Sequence, residues 1–232
     1  MSKRKIISAI IICILIPALV ICGYFLTSGG YYYLVSVIII AVSMLPFFLS
    51  LERKRLKSGE LVITAAVIAI AVASRAAFFF LPNIKPMCGI LTAVAVSFGA
   101  EFGFVSGALS VLLSNFIYGQ GMWTPFQMLG MGLTVFVSSV IIRAFRIKNR
   151  FVSGIVSGLS CFILYGLVVD LSSVFMMLSE YNLKSVSAIY LSGMPFNAIH
   201  GLTTAVVVAL IQPSIIRKLE RIKTKYGLFC EK

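Results

Sequence analysis

Between Asn115 and Gln127 the chain reads Asn-Phe-Ile-Tyr-Gly-Gln-Gly-Met-Trp-Thr-Pro-Phe-Gln. Three neutral amides, Asn115, Gln120 and Gln127, can each donate and accept hydrogen bonds. Tyr118, Trp123 and Phe126 place flat apolar surface between them. Gly119 and Gly121 admit a tight turn with positive φ, and Pro125 suits the first turn of a following helix. Amides interleaved with aromatics are what a pocket needs to hold an amide-bearing, ring-containing solute. The plainer reading is an aromatic belt at a lipid interface with turn glycines. That reading accounts for Trp123 but poorly for three amides.

Two further groups can converge on this segment. Asn197 and His200 follow Pro195, and Asp170 lies in an otherwise apolar run. An ionisable group inside an apolar span is a functional candidate, although His200 can equally bond a neighbouring helix and Asp170 can pair with a cation or hydroxyl. Arg75, with Lys85 beyond it, can pair with Asp170 or meet an anionic ligand group. His200 is the only histidine, so a multi-histidine metal site is excluded, and the five cysteines show no paired spacing. There is no G-x-x-x-x-G-K-[ST], H-E-x-x-H or G-x-S-x-G run. No catalytic residue, metal or cofactor is expected.

The elements that position these residues follow from composition. Of 232 residues, 60% are hydrophobic and only 12% charged, too little polar surface for a water-soluble sphere. Apolar runs of about 20 residues predict transmembrane helices, since a bilayer forces backbone groups to pair within the segment. The net charge of +13 would suggest nucleic acid in a soluble protein. Here the charges separate apolar runs, so topology explains them and no nucleic acid partner is expected. Eight spans are expected: 6–26, 31–51, 61–81, 86–98, 103–117, 124–144, 151–178 and 188–211. With both termini cytoplasmic, all of the 20 Lys and Arg except Arg75, Lys85 and Lys184 lie at inside ends. Reading 86–117 as one span would send Arg143, Arg146, Lys148 and Arg150 outward and bury Glu101 at the bilayer centre.

The fold class expected is therefore an all-α integral membrane protein of the cell membrane, a six-helix bundle preceded by a two-helix N-terminal hairpin. Residues 1–51 form the accessory hairpin, 52–59 a basic cytoplasmic linker, 60–213 the bundle and 214–232 a basic tail capping the membrane surface. Ala65, Ala69, Ala73 and Ala77 recur at a four-residue interval and flatten one helical face. Such a face serves close packing, either inside the bundle or against a separate membrane subunit. Gly99, Gly103 and Gly107, and likewise Gly154 and Gly158, read as internal packing sites.

The bundle resembles the S components of energy-coupling factor (ECF) transporters. The residues that carry the resemblance are Arg75-Ala-Ala-Phe-Phe-Phe-Leu-Pro82, Ser114 to Met128, Gly193-Met-Pro-Phe-Asn-Ala-Ile-His200 and Arg217 to Tyr226. Together they are similar to the branch associated with cobalamin (vitamin B12), with one departure: Met122 stands where that branch's run leads one to expect proline. The resemblance implies a substrate-binding subunit, not an enzyme. It would take its vitamin, cobalamin or a related corrinoid, from outside and deliver it inward by docking on a transmembrane T component that carries two cytoplasmic ATPases. Ala65, Ala69 and Ala73 match the T-component docking motif, and the outer loops and helix ends match the binding region. The alternatives are an S component for another small nutrient and a self-sufficient secondary carrier.

Overall fold

The computed structural model describes Ile38 and residues 58–178 and 182–227. The expected N-terminal hairpin lies outside the described residues, apart from Ile38, as do most of the basic linker and the last five residues. Among the described residues all regular structure is helical: α1 (Ser58–Ala77), α2 (Met87–Phe98), α3 (Ala100–Tyr118), α4 (Thr124–Ala144), α5 (Arg150–Ser160), a π-helical turn (Cys161–Tyr165), α6 (Gly166–Met177) and α7 (Leu183–Tyr226). The π turn joins α5 and α6 into one continuous 28-residue span.

Sequence explains most of these boundaries. Glu60 in the first turn and Arg75 in the last complement the α1 dipole, and the helix starts at Ser58, two residues inside the expected linker. Asn149 caps α5 by accepting from the backbone N–H of Phe151 at 2.9 Å, and Asn182 caps α7 through Ser185 at 2.8 Å. Pro125 sits in the first turn of α4, where its missing N–H costs nothing. Gly99, at φ 116°, separates α2 from α3. That backbone is open to glycine and strained for other residues, so the stretch 86–117 folds as two helices rather than one.

Among the described residues, five helices are long and apolar enough to cross a membrane. The sixth, α2, has 12 residues and rises about 18 Å, short of a hydrocarbon core about 30 Å thick. The expected span at 86–98 is thus a helix in the expected place, but one that does not cross by length alone. At the other end, α7 continues to Tyr226 rather than ending near Ile211. Pro213 removes one backbone donor, yet Ile215 and Leu219 beyond it pack on a buried cluster containing Leu91, Phe98 and Phe102. That packing outweighs the local proline penalty.

The α4 helix is the central post, with 72% of its apolar window buried against 28% for α1 and for α7. It packs along α3, and α7 packs along α5 and α2. The expected small-residue contacts are internal. A Cβ on Gly158 would lie 2.8 Å from the Gly201 carbonyl oxygen, so α5 and α7 touch backbone to backbone, and Gly103, Gly107 and Gly154 also face neighbouring helices. By contrast Ala65, Ala69 and Ala73 are exposed on the outer side of α1.

Candidate binding site

The polar residues singled out by the sequence separate into two groups. The first is a hydrogen-bonded network at the turn between α3 and α4. Asn115, 1% exposed, is its hub. Its Oδ1 accepts from Arg75 Nη1 at 2.8 Å, and its Nδ2 donates to Gln127 Oε1 at 2.9 Å and to Thr124 Oγ1 at 3.2 Å. Arg75 also donates to Ser114 Oγ and lies over the Tyr118 ring, 5.1 Å from its centroid. Tyr118 in turn stacks on Phe79 at 4.8 Å. Thr124 Oγ1 donates to Gln120 Oε1 at 2.9 Å and accepts from the Gly121 N–H at 3.2 Å, while Gln120 Nε2 donates to the Leu112 carbonyl at 3.1 Å. The network ties α1, α3 and α4 together and fixes the turn.

Most of this group turns its polar atoms on itself. Arg75 bonds to α3 rather than pairing with Asp170. Phe126, fully buried, belongs to the apolar core and lies 6.0 Å from Phe175. The Trp123 ring folds back over Gly121. Of this segment only Gln127 also reaches the second group.

That second group surrounds a cavity of about 300 Å³ bounded by α4, the π turn, α6, α7 and the loop between α1 and α2. Asp170, Asn197 and His200, three of the residues expected at the outer helix ends, line it together with Gln127. Asn197 Nδ2 donates to Asp170 Oδ2 at 2.7 Å, tying α7 to α6. Room for that carboxylate exists because residue 193 is glycine; a Cβ there would lie 2.5 Å from Asp170 Oδ2. His200 is 2% exposed and its ring meets Tyr165 edge-on at 4.7 Å. Its Nε2 has no hydrogen-bond partner among the described residues. A buried ring nitrogen left unbonded is costly, and Thr204 on the same helix also keeps an unbonded buried oxygen.

The remaining wall was not singled out in the sequence. Tyr165 lies on the π turn, Ser173 and Met177 on α6, and Ser192 and Phe196 on α7; Asn83 and Lys85 come from the loop 78–86. The wall from α5 to α6 had one signal available, its spacing. Tyr165, Val169, Ser173 and Met177 recur at a four-residue interval on one helical face, with Asp170 beside them, while the π turn that carries Tyr165 is announced by no pattern in the sequence. Such turns occur frequently at functional sites. Lys85 had a different signal, as one of three cations outside the positive-inside pattern.

The wall thus offers amides, a carboxylate, an ammonium, hydroxyls and an imidazole ring around aromatic surface from Tyr165 and Phe196. Nothing in it pairs a nucleophile with a base. Among the described residues no group of three or more His, Cys, Asp or Glu is placed to hold a metal ion.

Residues 55–217 match the family model of the ECF-type riboflavin transporter, S component. The match runs from just before α1 into α7 and takes in every residue of the cavity wall. No curated protein and no solved structure matches the chain. The family is one of transporter subunits rather than enzymes, and its helices make the chain a multi-pass protein of the cell membrane. The family description names riboflavin and lends no support to the cobalamin branch that the run Ser114–Met128 resembles.

Proposed function

Because the chain belongs to the S components of ECF-type riboflavin transporters, we propose that it binds a flavin-type vitamin in the cavity between α4, α6 and α7 and hands it to an ATP-driven partner complex. The observation that carries this reading is the cavity itself. At about 300 Å³ it lies at the lower end of small-molecule sites, which run from about 300 to 1,000 Å³, and so favours a compact ring solute over a corrinoid. Gln127, Asn197 and His200 supply donors and acceptors for carbonyl, imide and hydroxyl groups, and Tyr165 and Phe196 supply ring contacts. Arg75, Asn115, Tyr118 and Gln120 act behind this wall by fixing the turn that carries Gln127.

A corrinoid is the second reading. It rests on the run Ser114–Met128 and requires the loops around Asn83 and Met122 to open. Met122 replaces the proline expected there and is exposed.

Ala65, Ala69 and Ala73 form the face that meets the T component, to which the two ATPases attach. Their exposure on a helix with a mostly unburied apolar window supports this role. Small side chains let a partner helix approach closely.

Riboflavin added to the purified full chain should lose its fluorescence on binding, at one molecule per chain. Ala69→Trp should keep that binding while abolishing vitamin uptake in cells that supply the partners. Stoichiometric co-elution of cyanocobalamin with no flavin binding would replace the flavin reading with the corrinoid one. Normal uptake by Ala69→Trp would remove the docking face.

A further inference from the structure

Lys85 stands at the mouth of the cavity on a loop whose backbone is tightly specified. Turn hydrogen bonds link Phe79 to Ala76, Leu81 to Phe78 and Ile84 to Leu81. Asn83 then takes a left-handed conformation at φ 59°, which asparagine tolerates better than most residues. Pro86, the residue that precedes α2, confines Lys85 to extended backbone. The loop therefore aims the lysine at the cavity, whose wall it joins.

Its charge is poorly compensated there. Among the described residues no carboxylate lies within ion-pair distance. Asp170, the one carboxylate on the wall, is occupied with Asn197 across the α6–α7 contact. Burial pushes the Lys85 ammonium below the usual lysine range, and the charge of Arg75 adds to the effect. A half-buried cation facing a cavity and another cation is unfavourable in the empty protein, and an electron-rich ligand group would relieve it.

We propose that Lys85 is the specificity-determining residue of this site, presenting its ammonium to an oxygen acceptor edge of the bound solute, a ring carbonyl or an ionised imide or acid. This rests on the cavity reading above. The acceptor edge of the ligand faces the loop 78–86 and the lysine it carries, so a solute with an oxygen acceptor edge is selected over one that offers only donors.

The test uses the full chain in detergent, titrated with riboflavin by fluorescence quenching, as wild type, Lys85→Met, Lys85→Arg and Gln127→Ala. Lys85→Met should weaken binding about tenfold or more, whereas Lys85→Arg should stay within roughly threefold of wild type, since a hydrogen bond to a charged group is what is removed or kept. Neither variant should melt below wild type. If Lys85→Met binds normally while Gln127→Ala binds weakly, the lysine has no such role and the cavity remains the site. Equal loss in Lys85→Met and Lys85→Arg also overturns the proposal, because charge is then not what matters. Unchanged affinity in all three variants, or a wild-type chain that binds neither riboflavin nor cyanocobalamin, removes the cavity reading and this inference with it.

Discussion

The turn between α3 and α4 and the wall formed by α6 and α7 are built from the same materials, amides, hydroxyls, aromatics and a few charges, and they use them in opposite ways. At the turn, Asn115 spends both ends of its amide on protein partners, and Arg75, Thr124 and Gln120 close the network around it. At the wall, Asn197 holds Asp170 in place, His200 keeps an unbonded nitrogen, and Lys85 faces space. A satisfied network rigidifies, whereas an unsatisfied buried group awaits a partner. The comparison teaches that residue type nominates polar positions near a site, while saturation of their hydrogen bonds sorts scaffold from contact. Gln127 is the one residue shared by both regions. It accepts from Asn115 and lines the cavity, so the scaffold's geometry is passed to the cavity wall through it.

The sharpest way to break this comparison is Arg75→Met. It leaves the Asn115 Oδ1 and Ser114 Oγ positions without their charged donor inside the bundle, and loss of stability of about 2–3 kcal/mol is expected. Thermal unfolding of the detergent-solubilised protein measures it. The scaffold assignment fails if Arg75→Met melts normally but binds ligand weakly.

A smaller effect of the opposite kind is expected at the wall. His200→Ala should lower riboflavin affinity by about tenfold, equivalent to about 1.4 kcal/mol. It should change the melting temperature little through hydrogen bonding, since its Nε2 has no partner to lose. Titration and melting on the same preparation separate the two quantities. Destabilisation without weaker binding would make His200 a core residue.

The smallest effect belongs to Trp123→Ala. Its ring covers Gly121 rather than lining the cavity, so affinity should move by less than about threefold, within the range of most substitutions away from buried contacts. A large loss of affinity would bring the turn back into the site and blur the distinction.

Particular elements show how far the sequence could be read. The span expected at 124–144 is α4 to the residue, because an apolar run of crossing length begins at a proline suited to a first turn and ends at a basic cluster. A break between 98 and 103 was legible, since the charges around 86–117 called for two helices, and the structure puts it at Gly99. α7 was less so. Proline at 213 and the basic run after it read as a stop, yet packing of Ile215 and Leu219 on the core carries the helix on to Tyr226. The candidate site was half legible. Gln127, Asp170, Asn197 and His200 stood out as polar residues in apolar surroundings, while Tyr165, Ser173 and Phe196 looked like ordinary span residues.

The sequence by itself determined that the chain lives in lipid, how its apolar runs divide, and which of its few polar residues needed an explanation. Those are properties of composition and period, and lipid enforces them on each segment separately. Only the tertiary structure decided which polar groups answer one another and which are left facing a cavity. Hydrogen-bond saturation depends on positions brought together from 40 residues apart, as Arg75 and Asn115 are. The same holds for Tyr165 and His200, whose rings meet between the π turn and α7.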